Sequence, residues 1–417
     1  MAPVLQGWVL FAAMACPYPV RAVQDLVIRV VHMVLQPEKM KRLEIACRDN
    51  WKKKVEELGF AYHTLNGEVY WDESAFYAFS RAEIDVLEKA SNKLHRMCLK
   101  AVDYVIRENL YSRFCIPENY ISRIKKSWQR ESPSIYGRFD LSWNGDLLVP
   151  PKMLEYNADT PTSLLEAAVV QWFWLKEVHD SYDQFNSIHE KLIGWWKQIK
   201  PALKNQDLYF SCLDEFPEDF MNMSYLQDCA MQAGIRCTFI PIAEIGWDGK
   251  TFTDLEEKKI HTLFKLYPWE WIMHEEFGPH VVQADTVWIE PSWKMILSNK
   301  AILPILWKLF PGHPNLLECY FDSPGTMTDY IKKPLLSREG ANITLVEGGQ
   351  VKQETPGEYG DEGFVYQQMQ KLPDFGGNHP VIGSWIIGGK SAGIGIRESR
   401  SLITDNFSRF LPHAILP

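Results

Sequence analysis

Two short segments constrain the fold of this chain most: Tyr136-Gly137-Arg138-Phe139-Asp140 and Leu154-Glu155-Tyr156-Asn157-Ala158-Asp159-Thr160-Pro161-Thr162-Ser163. Residues two apart on an extended strand point to the same face. Arg138 therefore projects with Asp140, and Glu155 with Asn157. A sheet built from both segments gathers a cation, two carboxylates and an amide on one surface. Hard oxygen ligands of this kind suit Mg²⁺. An arginine alongside stabilises negative charge on a transferring phosphoryl or acyl group. The same residues also fit two ordinary strands with solvated polar faces.

A helix start follows directly. Ser163 and Glu166 have the spacing of a capping box, and Leu164, Leu165, Ala168 and Gln171-Trp172 continue at helical spacing. Thr160, Thr162 and Ser163 then sit where free N–H groups collect, an end that attracts carboxylate or phosphate. A well-capped helix with no ligand has the same pattern.

The remainder reads as mixed α/β. Ser80-Arg81-Ala82-Glu83 forms a second capping box, and Ile84, Leu87, Leu94, Met97, Ala101 and Val105 lie at helical spacing behind it. Leu208–Ser211 has the character of a buried strand, Tyr225–Ala233 of a helix stopped by Gly234, and Thr238–Ile240 of a second strand. Together they form a βαβ unit. Asp248-Gly249 marks a hairpin turn. A chain of 417 residues, 46% hydrophobic with 16 tryptophans, has ample material for a large core. Its net charge of −9 argues against a general nucleic-acid binder and is compatible with a cationic amine substrate. The eight cysteines form no Cys-x-x-Cys pair, as expected of reduced thiols in the cytoplasm. His261, His274, His280 and His313 have no metal-ligand spacing and read as surface or structural residues. Val4–Cys16 is apolar but too short to span a bilayer, and no basic segment precedes it. No membrane partner is expected.

No Gly-x-x-x-x-Gly-Lys-Ser/Thr loop is present, which excludes a P-loop mechanism. Lys300 begins an apolar helix, and Lys333 stands before Pro334 at the end of a strand; lysines so placed are commonly solvated. Ser337–Asn342 reads as a glycine-bearing loop whose N–H groups can cover phosphates, or as a plain turn before strand Ile343–Val346. Gly388-Gly389 suits a tight hairpin, and Gly393 and Gly395 would let the backbone approach a ligand. The spacing is not that of a dinucleotide fingerprint.

Several of these motifs, in this order, resemble the synthetase module of the glutathionylspermidine synthase family, a branch of the ATP-grasp ligases. The resemblance runs from Tyr136–Ser163 through Glu290-Pro291-Ser292-Trp293, Ser298–Trp307, Lys333–Asn342 and Tyr366-Gln367-Gln368 to Gly388–Arg397. It covers nearly everything from Met40 to the end. It implies an α/β (α+β) fold, an ATP-grasp synthetase with a preceding pre-ATP-grasp-like α/β domain. Residues 1–39 are then an extension outside the match, from an upstream start codon. Residues 40–417 form the synthetase, with the βαβ unit at about 205–245 and the nucleotide-binding lobes at about 285–417.

The resemblance also assigns residues. Asp140, Glu155 and Asn157 would hold Mg²⁺, and Arg138 would be catalytic. ATP would meet Arg138, Lys300, Lys333, Gly340, Ala341, Gln367, Gln368, Met369, Gln370 and Leu402, with the Tyr366–Met369 backbone amides reading the base edge. Thr160, Thr162 and Arg397 would contact the acid substrate, and Glu218 and Asp219 the polyamine, with Asp214 and Glu215 as equally acidic neighbours. Glu339, a bulky acid in the phosphate-covering loop, departs from the family. The implied activity is an ATP- and Mg²⁺-dependent acid–amine ligase that joins glutathione, or a related peptide carboxylate, to a polyamine such as spermidine. Bifunctional members carry an additional amidase domain, for which the 39 residues before Met40 are too few. The alternatives are the same chemistry on another acid and amine, or an ATP-binding regulator without ligase activity.

Overall fold

The structure, a computed structural model, describes residues 39–403 and 408–417. The extension expected over 1–39 lies, but for Lys39, outside the described residues. The strand Ala75–Phe79 pairs antiparallel with Lys41–Glu44 and parallel with His413–Ile415. Both ends of the compact unit Met40–Pro417 thus meet in one small sheet. The helix α1 (Arg81–Arg107) follows, and its N-terminus carries the expected capping box between Ser80 and Glu83. Ile84, Leu87, Leu94, Met97, Ala101 and Val105 are all buried, so the 3.6-residue periodicity identified the packed face correctly. Ser80→Ala removes one partner of the box and should cost about 1 kcal/mol, measurable by denaturant unfolding.

The hairpin β1 (Tyr136–Ser142) and β2 (Lys152–Asn157) comes next. It is followed by a wholly parallel sheet of β3 (Asp207–Cys212), β4 (Arg236–Phe239), β5 (Thr262–Leu266) and β6 (Val287–Ile289), in the order β6-β5-β3-β4. The crossover from β3 to β4 is α2 (Pro217–Gln232), which completes the expected βαβ unit. The helix starts earlier than its apolar residues suggest. Pro217 occupies its first turn, where the missing N–H costs nothing, and Glu218 and Asp219 complement the positive end. Gly234, at φ +79°, ends it: its N–H donates to the Met231 carbonyl at 2.8 Å and that of Ile235 to Ala230 at 3.1 Å. The Asp248-Gly249 turn joins two short antiparallel strands, as expected.

Beyond the short helix α3 (Ile302–Leu309) lies an antiparallel sheet. Its strands are β7 (Cys319–Phe321), β8 (Tyr330–Pro334), β9 (Thr344–Glu347), β10 (Gln350–Glu354) and β11 (Phe364–Gln368), in the order β7-β11-β8-β9-β10. The chain then returns to the first hairpin through β12 (His379–Ile387), β13 (Lys390–Ser399) and β14 (Arg409–Leu411). These make a second antiparallel sheet, β14-β13-β12-β1-β2. Gly388 and Gly389, at φ +54° and +78°, form the turn between β12 and β13, a pair of values that side chains resist.

Helix α1 packs on one face of this second sheet, where Ser91 and Ser384 hydroxyls meet at 2.6 Å and Phe139 stacks on Tyr156. The alternation of the strand sends Arg138 and Asp140 to the opposite face. Gly393 and Gly395 do allow close approach, but to protein. A Cβ at Gly393 would stand 2.8 Å from the Phe185 carbonyl, and one at Gly395 2.6 Å from the Phe410 ring. Gly393 is thus closed off by internal packing, whereas Gly395 also lines the pocket described below.

Candidate functional site

The register of β1 and β2 sets Arg138 opposite Asn157 and Asp140 opposite Glu155. All four polar side chains meet, as the period-2 pattern requires. Arg138 Nε donates to Asp140 Oδ1 at 2.9 Å, and Asn157 Nδ2 lies 3.2 Å from Asp140 Oδ2 and 3.3 Å from Glu155 Oε1. Turning the Asn157 amide over presents its oxygen to the same space instead. Arg138 lies flat along the sheet because Gly383 on β12 leaves room: a Cβ there would stand 2.9 Å from Arg138 Cδ. Its Nη1 donates to the Thr162 carbonyl at 2.7 Å, and its guanidinium faces the Trp385 ring.

The two lysines arrive from other elements. Lys300, just before α3, places Nζ 3.6 Å from Glu155 Oε2 and 2.5 Å from the Ser337 carbonyl. Lys333 on β8 donates to Gln367 Oε1 at 2.8 Å and to the Leu154 carbonyl at 3.2 Å. Burial pushes the Lys333 ammonium below its ordinary value, and Glu155 partly restores it. Burial pushes the Glu155 carboxyl up, but Lys300, Lys333, Asn157 and Arg138 together bring it down to about 2. Glu155 is therefore an anion at any ordinary pH. Two carboxylates and an amide of this kind are donors that fit Mg²⁺, with phosphate oxygens and waters completing its shell. Among the described residues no group of three or more His, Cys, Asp or Glu could hold a metal ion. This site presents only two carboxylates.

The other expected nucleotide contacts are less open. Gln367 is buried, and its side chain bridges Lys333 and the Met153 carbonyl. The N–H of Gln368 donates to the Glu318 carbonyl at 2.7 Å and that of Met369 to Asp329 at 3.1 Å. The expectation that these two amides read a base edge is corrected, because neighbouring backbone has already taken them. Gln370 donates to the Lys371 carbonyl. In the 337–342 loop the Ala341 N–H donates to the Arg338 carbonyl, and the Gly340 carbonyl accepts from Thr355. Leu402 is exposed, next to Ser401, which accepts from Gln353 on β10.

The corner after β2 is built differently from the expected capping box. Ser163 has φ +66°, and its hydroxyl meets Tyr70 Oη at 3.0 Å. Glu166 is fully buried and accepts from Tyr62 at 2.5 Å and from Tyr70 at 2.7 Å. Asn222 on α2 takes over the cap, accepting the Leu164 N–H at 2.9 Å. Two buried tyrosine donors hold the carboxylate more strongly than a local box can, and the following turn is π-helical over Glu166–Val170. Arg138, Asp140, Ser163, Trp385, Arg397 and Phe410 line one pocket at this corner. Glu218, at the start of α2, interacts with Thr162 and with Arg397 of this lining. Burial raises the Glu218 carboxyl, opposed by the Thr162 hydroxyl and by Arg397. Asp219 is pushed up to about 7 by burial and by Glu218. Asp214 and Glu215 are exposed instead.

Two pairings at this site carry no sequence signal. Arg338 pairs with Glu270, Nε to Oε1 at 3.1 Å, and donates from Nη1 to Thr160 Oγ1 at 3.0 Å. Beneath them Lys265 and Asp159 form a buried pair at 2.6 Å, and Asp159 also accepts the Trp269 N–H. The partners lie far apart in the chain, so no local spacing announces them.

A parallel α/β unit followed by two antiparallel sheets with lysines between them is the architecture of an ATP-grasp-type synthetase. The fold matches a glutathione synthetase-like effector from Globodera pallida with a TM-score of 0.56 at 10% identity, covering 88% of this chain and 96% of that one. Residues 42–416 match the family model described as glutathionylspermidine synthase preATP-grasp, and the chain belongs to the glutathionylspermidine synthase family. A Haemophilus influenzae protein provisionally named as an acid–amine ligase is 42% identical over 387 residues, 89% of this chain and 98% of that protein. The bifunctional glutathionylspermidine synthetase/amidase of Escherichia coli is 28% identical over 395 residues. The trypanothione synthetase of Crithidia fasciculata is 27% identical over 350 residues. The matches cover 87% and 76% of this chain but 63% and 53% of those two proteins, less than two thirds of their length. Among the described residues no helix is long and apolar enough to cross a membrane.

Proposed function

We propose that this chain is an ATP- and Mg²⁺-dependent ligase that joins the carboxyl group of glutathione, or a related peptide, to a polyamine such as spermidine. The observation that carries this reading is the meeting of Arg138, Asp140, Glu155 and Asn157 across β1 and β2, with Lys300 and Lys333 closing on Glu155. Asp140, Glu155 and Asn157 would hold Mg²⁺, which when bound neutralises phosphate charge and orients ATP. Lys300 and Lys333 then meet the remaining phosphate oxygens. Arg397, Thr160 and Thr162 hold the acid so that its carboxylate faces the γ-phosphoryl group. Attack by that carboxylate transfers the phosphoryl group and yields an acyl phosphate and ADP. The amine, held by Glu218 and Asp219, attacks the acyl carbon; phosphate leaves, the amine loses a proton, and an amide remains. Arg138 stabilises charge on the transferring group and on the tetrahedral intermediate.

The test is phosphate release from ATP and Mg²⁺ across a matrix of acids and amines headed by glutathione and spermidine, with mass spectrometry of each product. Release that needs both partners, with the condensed mass, is the expected result. ATP binding without stimulated release by any pair would transfer the chain to the silent nucleotide-binding class.

A further inference from the structure

The loop at 337–342 is held from both sides, and its two anchors differ in kind. On the outer side the bonds are neutral: Asn342 Nδ2 donates to the Gly357 carbonyl at 3.0 Å, and the Tyr359 N–H donates to Asn342 Oδ1 at 2.8 Å. The loop residues Glu339, Gly340 and Asn342 all have positive φ, a sharply turned path. On the inner side Lys300 holds the Ser337 carbonyl, and Arg338 reaches across to the parallel α/β unit. It makes two contacts with Glu270, at Nε and Nη2, and one with the Thr160 hydroxyl, and its guanidinium faces Trp271.

Glu270 is only 9% exposed and sits directly after Trp269, whose N–H is held by the buried Asp159. Burial pushes its carboxyl up, but Arg338 brings it below the ordinary carboxylate range, so it stays ionised beside its partner. Both donors converge on Glu270 Oε1, a charge-assisted contact stronger than the neutral bonds on the outer side. Thr160 adds the functional link, because it belongs to the corner where the acid substrate is placed above.

We propose that Glu270 is a positioning residue that latches the phosphate-covering loop shut through Arg338, and so decides whether the activated acid meets the amine or water. The proposal rests on the ligase reading given above. With the loop latched, water is excluded and the amine attacks the acyl carbon. With it released, a water oxygen forms the new bond to that carbon, phosphate leaves and a proton is lost. The acid is regenerated, and the net reaction is hydrolysis of ATP to ADP and phosphate.

The experiment compares wild type, Glu270→Gln and Arg338→Lys by two readouts. The first is the ratio of phosphate released to amide formed. Wild type should give about one, and Glu270→Gln several-fold more, through loss of amide rather than loss of ATP turnover. The second needs no substrate pair: limited trypsin digestion, in which cleavage after Arg338 should rise about tenfold in Glu270→Gln. Arg338→Lys keeps the charge and loses the paired N–H contacts to Glu270 Oε1, so it serves if Glu270→Gln does not fold and should move both readouts in the same direction. An unchanged ratio in the variants, or unchanged cleavage after residue 338, overturns the latch. If no acid and amine are ligated by wild type, the ligase reading falls, and the digestion alone decides whether Glu270 holds the loop.

Discussion

Asp140→Ala should lower ATP turnover on the order of 10³-fold or more while the protein stays folded, and Glu155→Ala should do the same. The two carboxylates stand opposite each other across β1 and β2, and neither is part of a packed core. Without Asp140, Arg138 keeps its bond to the Thr162 carbonyl and its place against Trp385. Without Glu155, Lys300 and Lys333 face each other with no carboxylate between them, and the Lys333 ammonium falls still lower. In both variants a donor to the proposed Mg²⁺ site is lost and positive charge in the phosphate region is left uncompensated. The measurement is phosphate release beside a thermal melt. Near-normal turnover in either variant would falsify the metal assignment.

Lys265→Met should destabilise the fold by about 3–5 kcal/mol. Lys265 and Asp159 are at most 1% exposed and meet at 2.6 Å. Removing the ammonium leaves a buried carboxylate that keeps the Trp269 N–H at 2.9 Å but loses its ion-pair partner. The burial that pushes the Lys265 ammonium below its ordinary value shows what this environment costs a charge. Adding Asp159→Asn to Lys265→Met should recover part of the loss, because the second change removes the stranded charge. Denaturant titration of the single and double variants checks both statements. A single variant as stable as wild type, or a double variant that loses the full sum, would refute the account of this pair.

The local features of this fold were legible in the sequence for one physical reason: their hydrogen bonds and periodicities are completed within a few residues. The capping box at Ser80 and Glu83, the turn at Gly388-Gly389, the βαβ unit and the shared face of Arg138 with Asp140 are all of this type. The strand position of Lys333 was legible beside Pro334, whereas its expected role toward ATP, and those of Glu218 and Asp219 toward an amine, came from the family resemblance.

What the chain could not show locally is what distant partners compete for. Ser163 and Glu166 have the spacing of a capping box, yet Tyr62 and Tyr70, about a hundred residues earlier, take the carboxylate. Gln368 and Met369 have amides that a ligand could use, yet the carbonyls of Glu318 and Asp329 reach them first. Gly393 and Gly395 leave room that Phe185 and Phe410 occupy. The pairs Lys265 with Asp159 and Arg338 with Glu270 span 106 and 68 residues. Sequence alone determined which side chains share a strand face and where the capped helix α1 and the Gly388-Gly389 turn begin. The tertiary structure decided which of those groups stay available to a substrate, because a buried donor or acceptor goes to whichever partner the fold brings within bonding distance.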